Sequence, residues 1–158
     1  MMGIRRWGVL AMGGVVLVLA GCAHLWAPPA PTVIFGPPVV QGERGELVVS
    51  VADIPQGAGA LAVEFGGLVY PADKLADLKV EGLNGFVVLA QRFEAGQGGF
   101  VLASISGIEA GPIARITFRP LAPVDPGDFA VDGAKVSLAD EHNEPVEFTL
   151  SRPAYYAR

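Results

Sequence analysis

The sequence predicts an all-β fold, two sheets packed as a sandwich, behind an N-terminal export segment. Three observations point there. Glycine (21 of 158 residues) and proline (13) are frequent enough to favour short strands and tight turns over long helices. The apolar runs beyond residue 31 alternate with period two. Turn signals separate them at roughly the 8–12 residue spacing of a sandwich.

The first element is not part of that domain. Met1 to Arg6 is short and positive, Trp7 to Ala20 is an uncharged apolar run, and small residues follow at Ala20 and Gly21. That order is a secretory signal, residues 1–21. The run is interrupted by Gly8, Gly13 and Gly14 and is short of the about 20 residues a membrane span needs. Leu19-Ala20-Gly21-Cys22 resembles the bacterial lipobox at all four positions. The resemblance implies a diacylglyceryl group on the Cys22 sulfur and cleavage between Gly21 and Cys22. It also implies a protein exported and lipid-anchored to the cell membrane or outer membrane. Each buried methylene contributes about 0.8 kcal/mol, so two or three chains hold where one would not. Ala23 replaces the aspartate that the same family uses for inner-membrane retention, which points to the outer membrane or cell surface.

Residues 22–31 then form a tether. Pro28, Pro29 and Pro31 favour an extended polyproline conformation that would hold the domain roughly 25 Å off a bilayer. Trp26 suits the headgroup layer, where amphipathic rings settle.

The domain, residues 32–152, follows in strand-like steps. Glu46 to Asp53 is β-rich and closes at Ile54-Pro-Gln-Gly57. In Ala60 to Tyr70, Leu61, Val63 and Phe65 face one way and Ala62, Glu64 and Gly66 the other. Only Ala72 to Leu78 has the spacing of a helical turn. Phe86 to Phe93 follows an Asn84-Gly85 turn, and Gly99 to Ser106 comes next. From Ile113 to Leu121, Ala114, Ile116 and Phe118 point inward and Arg115, Thr117 and Arg119 outward. Asp125-Pro-Gly-Asp128 is a turn; Phe129 to Leu138 and Val146 to Ser151 complete the sheets across Asp140 to Glu144. Residues 153–158 are a tail. The domain contains no cysteine, so its core alone must hold it.

Val39-Val-Gln-Gly42, Ala62-Val-Glu-Phe65, Leu68-Val-Tyr-Pro71 and Leu75 resemble the early strands of the cohesin domain. Gly111-Pro-Ile-Ala-Arg-Ile-Thr-Phe118 and Val136-Ser-Leu-Ala-Asp140 resemble its later ones. The resemblance covers about Thr32 to Leu150 and implies a jelly-roll sandwich of about nine strands with a binding role. Cohesins hold dockerin modules, and related sandwiches bind polysaccharide. Tyr70-Pro71-Ala72-Asp73 departs from the family's common Tyr-Asp-Pro.

Chemistry is sparse. With Cys22 acylated no thiol nucleophile remains, and His142, the domain's one histidine, sits in a polar hairpin. No Gly-x-Ser-x-Gly elbow or HExxH pair occurs, so no catalytic residue is assigned and an enzyme is not expected. No cofactor is expected either, beyond the covalent lipid. Asp125, Asp128 and Asp132 are calcium candidates by their oxygen chemistry, without the alternating order of a calcium loop. Acidic turns between strands are more often solvated, and calcium is not favoured. Removing Arg5 and Arg6 with the signal leaves nine basic against sixteen acidic side chains, a formal −7, which excludes a phosphate-backbone partner. Both tryptophans lie outside the domain, which counts against sugar stacking. A protein partner is expected ahead of a polysaccharide one, and the strand order that the cohesin resemblance implies would give it an outward docking face carrying Glu64, Arg92, Ser104 and Lys135. A purely structural envelope role is the remaining alternative.

Overall fold

The computed structural model describes residues 29–55 and 57–151. Residues 1–28 lie outside them, and with them Gly21, Cys22 and Trp26; so do 152–158, with Tyr155 and Tyr156. Eleven strands are described: β1 (Thr32–Phe35), β2 (Val39–Gln41), β3 (Arg44–Ala52), β4 (Leu61–Val69), β5 (Leu75–Gly82), β6 (Phe86–Glu94), β7 (Gln97–Ser104), β8 (Gly111–Pro120), β9 (Ala130–Val131), β10 (Val136–Asp140) and β11 (Thr149–Ser151). They form two sheets. The first has the order β11-β1-β3-β8-β5, with β2 added on β3. The second has the order β10-β4-β7-β6, with β9 added on β4. Every pairing is antiparallel except β1 with β11.

The period-two pattern decides which side chains meet. In β3, Leu47, Val49 and Val51 are buried while Glu46, Val48 and Ser50 turn outward. β4 buries Leu61, Val63 and Phe65 and exposes Glu64 and Gly66. The two inner faces close on each other through aromatic rings. Phe35 of the first sheet lies 6.3 Å from Phe65 of the second, and Phe65 stacks on Phe100 at 4.7 Å. Phe118 and Phe129 add a tilted pair at 5.5 Å. Leu102, Ile116 and Val63 are sealed from solvent in the same cluster. Each side chain of that size contributes about 1.5–3 kcal/mol on full burial, which suits a core without disulfides.

Three sequence expectations are corrected. Ala72 to Leu78 is a turn only as far as Lys74, where the Pro71 carbonyl accepts the Lys74 and Leu75 N–H groups at 3.1 and 3.2 Å; from Leu75 it is β5. A bulge between Ala76 and Lys79 inserts Asp77 at φ 56, so that Leu75 and Leu78 fall three apart and imitate helical spacing. Phe129 to Leu138 is two strands, because a 3-10 turn at Gly133–Lys135 breaks it. Its start is fixed by Asp132, whose carboxylate accepts the Ala134 N–H at 3.1 Å. Val146 to Ser151 is strand only from Thr149, with a lone bridge between Pro145 and Ala139 before it.

Candidate functional site

The second sheet places its outward residues in rows, because directly paired residues share a face. Ala139 pairs with Ala62, Ala62 with Ala103, and Ala103 with Val87. The next row runs Ser137, Glu64, Val101, Ala90. Beyond it Gly66 lies beside Gly99, and Gly99 pairs with Arg92. Across three strands this face carries alanine, valine and glycine around Glu64, with Arg92 at the β6 end of its third row. Val87 is 49% exposed, and the bulge between Val88 and Ala90 pushes Leu89 out to 63%. Ile105, just past β7, is 86% exposed at the same end as Val87. Exposed apolar side chains gathered on one face make it a candidate interaction surface.

The glycines hollow this face. A shallow depression of about 680 Å³ opens over Gly66, Gly98 and Gly99, walled by Glu64, Ala90, Arg92, Glu94, Gln97 and Val101. Its floor cannot carry side chains. A Cβ on Gly99 would stand 2.8 Å from the Phe65 carbonyl oxygen, and one on Gly66 3.3 Å from the Lys135 carbonyl oxygen. Arg92 is already satisfied, donating through Nε at 3.0 Å and through Nη2 to Glu94 Oε2. Glu64 makes no hydrogen bond or ion pair among the described residues.

Three of the four residues expected on the partner face lie on or beside this surface: Glu64 at its centre, Arg92 on the wall, and Lys135 on the rim. Lys135 belongs to the turn whose carbonyl lies next to Gly66, and its Nζ is 3.8 Å from Asp132. Ser104 is the correction. The phase of β7 turns Gly98, Phe100, Leu102 and Ser104 inward together, and Ser104 is only 5% exposed. Its Oγ accepts the Leu61 N–H at 3.0 Å, so it ties the two strands rather than meeting a partner. The depression itself was missed by sequence reasoning. Its signal was there in Gly66-Gly67 and Gly98-Gly99, paired glycines in adjacent strand runs.

The calcium candidates are drawn apart into separate duties. Both carboxylate oxygens of Asp128 bind Lys74 Nζ, at 2.9 and 3.0 Å, and its Oδ2 also accepts the Asp125 N–H at 2.8 Å. That partnership holds the Lys74 ammonium above its usual range. Asp132 is committed to the turn at Gly133. Among the described residues no group of three metal-ligating side chains converges. The Asp140 carboxylate accepts the Glu144 and His142 amides at 2.9 and 2.8 Å, which holds it below the usual carboxylate range. His142 is exposed in that turn beside Glu141, 3.6 Å away. Tyr70 is buried with its ring against Phe93, so it offers no platform for a sugar. Among the described residues no helix is long and apolar enough to cross a membrane.

With this geometry in hand, the fold can be set beside known ones. No family model and no curated protein matches the chain. A cohesin module from a family 33 glycoside hydrolase of Clostridium perfringens superposes with a TM-score of 0.57 at 10% identity, covering 78% of this chain and 97% of that one. The sixth cohesin of scaffoldin B from Acetivibrio cellulolyticus, solved in complex with a mutant Cel5 dockerin, gives a TM-score of 0.55 at 17% identity, covering 78% and 99%. The described domain is a β-sandwich with a cohesin-like fold.

Proposed function

We propose that this chain is a non-catalytic envelope lipoprotein, anchored through Cys22, whose cohesin-like domain binds a protein partner on the outer face of its second sheet. The observation that carries the reading is that face: alanine, valine and glycine over three strands around Glu64, a carboxylate without a partner among the described residues. The fold adds support, since the Acetivibrio cellulolyticus module of like fold was captured with a dockerin. Orientation adds more. The chain enters the domain at Pro31, whose carbonyl accepts the Thr149 N–H at 2.8 Å. Thr32 pairs with Ala52, and the neighbouring Val51 pairs with Gly111, the residue that resumes the chain after β7. The Ser104 end of β7 is thus the tethered end, and the depression near Gln97 opens at the other.

Two measurements test this. The mass of the mature N-terminal peptide from membrane fractions should show a diacylglyceryl group on Cys22; an unmodified cysteine in an uncleaved chain overturns the anchor. A photo-reactive amino acid at Val87, in the full chain within its own cells, should give a protein adduct that the same probe at Lys79 on the first sheet does not. Silence at Val87, or equal labelling from both faces, overturns the docking face.

A further inference from the structure

The lining of the depression limits what a protein partner can place in it. Its floor is backbone, its near wall is Val101 and Ala90, and its charges are Glu64, Glu94 and Arg92. Arg92 and Glu94 cancel within the molecule, and on the rim Lys135 is engaged with Asp132. The charge left over is the Glu64 carboxylate, exposed and without a partner among the described residues, at the edge of a hollow lined partly by Ala90 and Val101 and partly by Gln91 and Gln97. A bulky apolar side chain would fill the hollow and bury that carboxylate unpaired, a costly arrangement. An acidic one would be repelled. A long aliphatic stem ending in a cation meets both demands, its methylenes over Gly66, Gly99 and Val101 and its head on Glu64.

We propose that this glycine-floored depression is an anchor pocket for one lysine or arginine of the protein partner, with Glu64 selecting the charge. The inference rests on the docking face proposed above. An anionic membrane is a poor alternative occupant, because the surroundings of the face at its tethered end are acidic: Asp53, Glu109, Glu141 and Glu144. The hydrophobic rows beside the pocket would supply area, and the anchor would supply discrimination, as a few central residues usually do.

The test is photo-crosslinking in cells with the probe at Ala90, on the pocket wall, in the full chain. In the otherwise wild-type chain an adduct should form, and its crosslinked peptide should carry a lysine or arginine. The adduct should fall about tenfold in Glu64→Lys and be retained in Glu64→Asp. Reversing the identified partner residue to glutamate should restore it to Glu64→Lys and weaken it with wild type, a rescue that a merely structural role for Glu64 would not give. Thermal melts of each variant check that the domain is folded. Equal adduct in wild type and Glu64→Lys, or a charge swap without rescue, overturns the pocket while the docking face stands. No adduct at Ala90 or Val87 in wild type removes the face and the pocket together.

Discussion

The two outer faces of the sandwich share strand geometry and exposed apolar side chains, Ile34 and Val39 on the first sheet and Val87 and Leu89 on the second, and differ in how charge is laid upon them. On the first sheet, charges are matched across strands. Arg115 stands between Glu46, 3.2 Å away, and Glu81, 3.5 Å away, and Arg119 meets Asp77 at 2.7 Å. Arg115 Nε is off line for a hydrogen bond to Glu46, so that contact is an ion pair alone. On the second sheet the middle positions hold alanine, valine and glycine around Glu64, and an ion pair, Arg92 with Glu94, lies on its β6 edge. A face saturated with its own ion pairs is complete in water; a stripped one is not. The fold would tolerate charge on either side. Charge is thin over the middle of the second sheet, where Glu64 has no partner among the described residues, and that favours a partner there.

The largest effect expected from breaking that comparison is at the hollow itself. Gly99→Ala forces a Cβ into the Phe65 carbonyl, which is backbone and cannot swing aside. We expect a loss of about 1–3 kcal/mol in urea unfolding, the range of overpacked sites. An alanine on the exposed ladder of the first sheet, such as at Lys79, should change little by comparison. A neutral outcome at Gly99 would mean that β4 and β7 can part there, and the hollow would not be a fixed feature.

A smaller effect is expected from the matched face. Arg115→Ala leaves Glu46 and Glu81 near each other without their shared cation. Half-exposed pairs of this kind contribute about 0.2–1 kcal/mol, and salt should shrink the difference. Unfolding at low and high ionic strength measures both quantities. A loss well above this, or one insensitive to salt, would show that the arginine stem packs more than its charge binds, and the contrast between the faces would be one of packing.

Much of the fold could be read from the chain, because alternation survives wherever strands are regular. Leu61, Val63 and Phe65, or Ile116 and Phe118, announce their face by period two alone. What could not be read were the interruptions. The bulge at Asp77 disguised β5 as a helical turn, and the turn at Gly133 split one apparent strand into two. Both are set by backbone geometry that a short window does not encode. The site was partly legible. Glu64 follows from the phase of β4, and Arg92 was placed with it. A strand order taken from resemblance does not fix side-chain phase, so Ser104 differs: it shares the phase of Phe100 and Leu102, pairs with Phe86 and accepts the Leu61 amide, all of which turn it inward. The hollow needed two strands in register before its glycines could be seen as one feature.

The smallest effects belong to pH, and they separate the loops from the faces. Asp140 ends β10 of the second sheet, and its carboxylate holds the Glu144 and His142 amides. Its folded pKa lies below the unfolded value of 3.8, so the group stabilises the fold above that value. The contribution fades as pH falls through the lower folded value. Asp140→Asn keeps an acceptor for the amides and removes the charge. It should cost stability at neutral pH and nothing in strong acid. Lys74 behaves in the opposite sense. Its hydrogen bond to Asp128 raises the folded pKa above 10.5, so its contribution is complete below that value and is lost as pH rises through the folded one. Lys74→Met should therefore differ from wild type at neutral pH and converge with it in strong base. Urea melts of both variants across pH check the signs. If the Asp140 difference persisted in acid, the lost group would be acting through its shape in the turn, and the charge of that carboxylate would have no part in holding the second sheet closed.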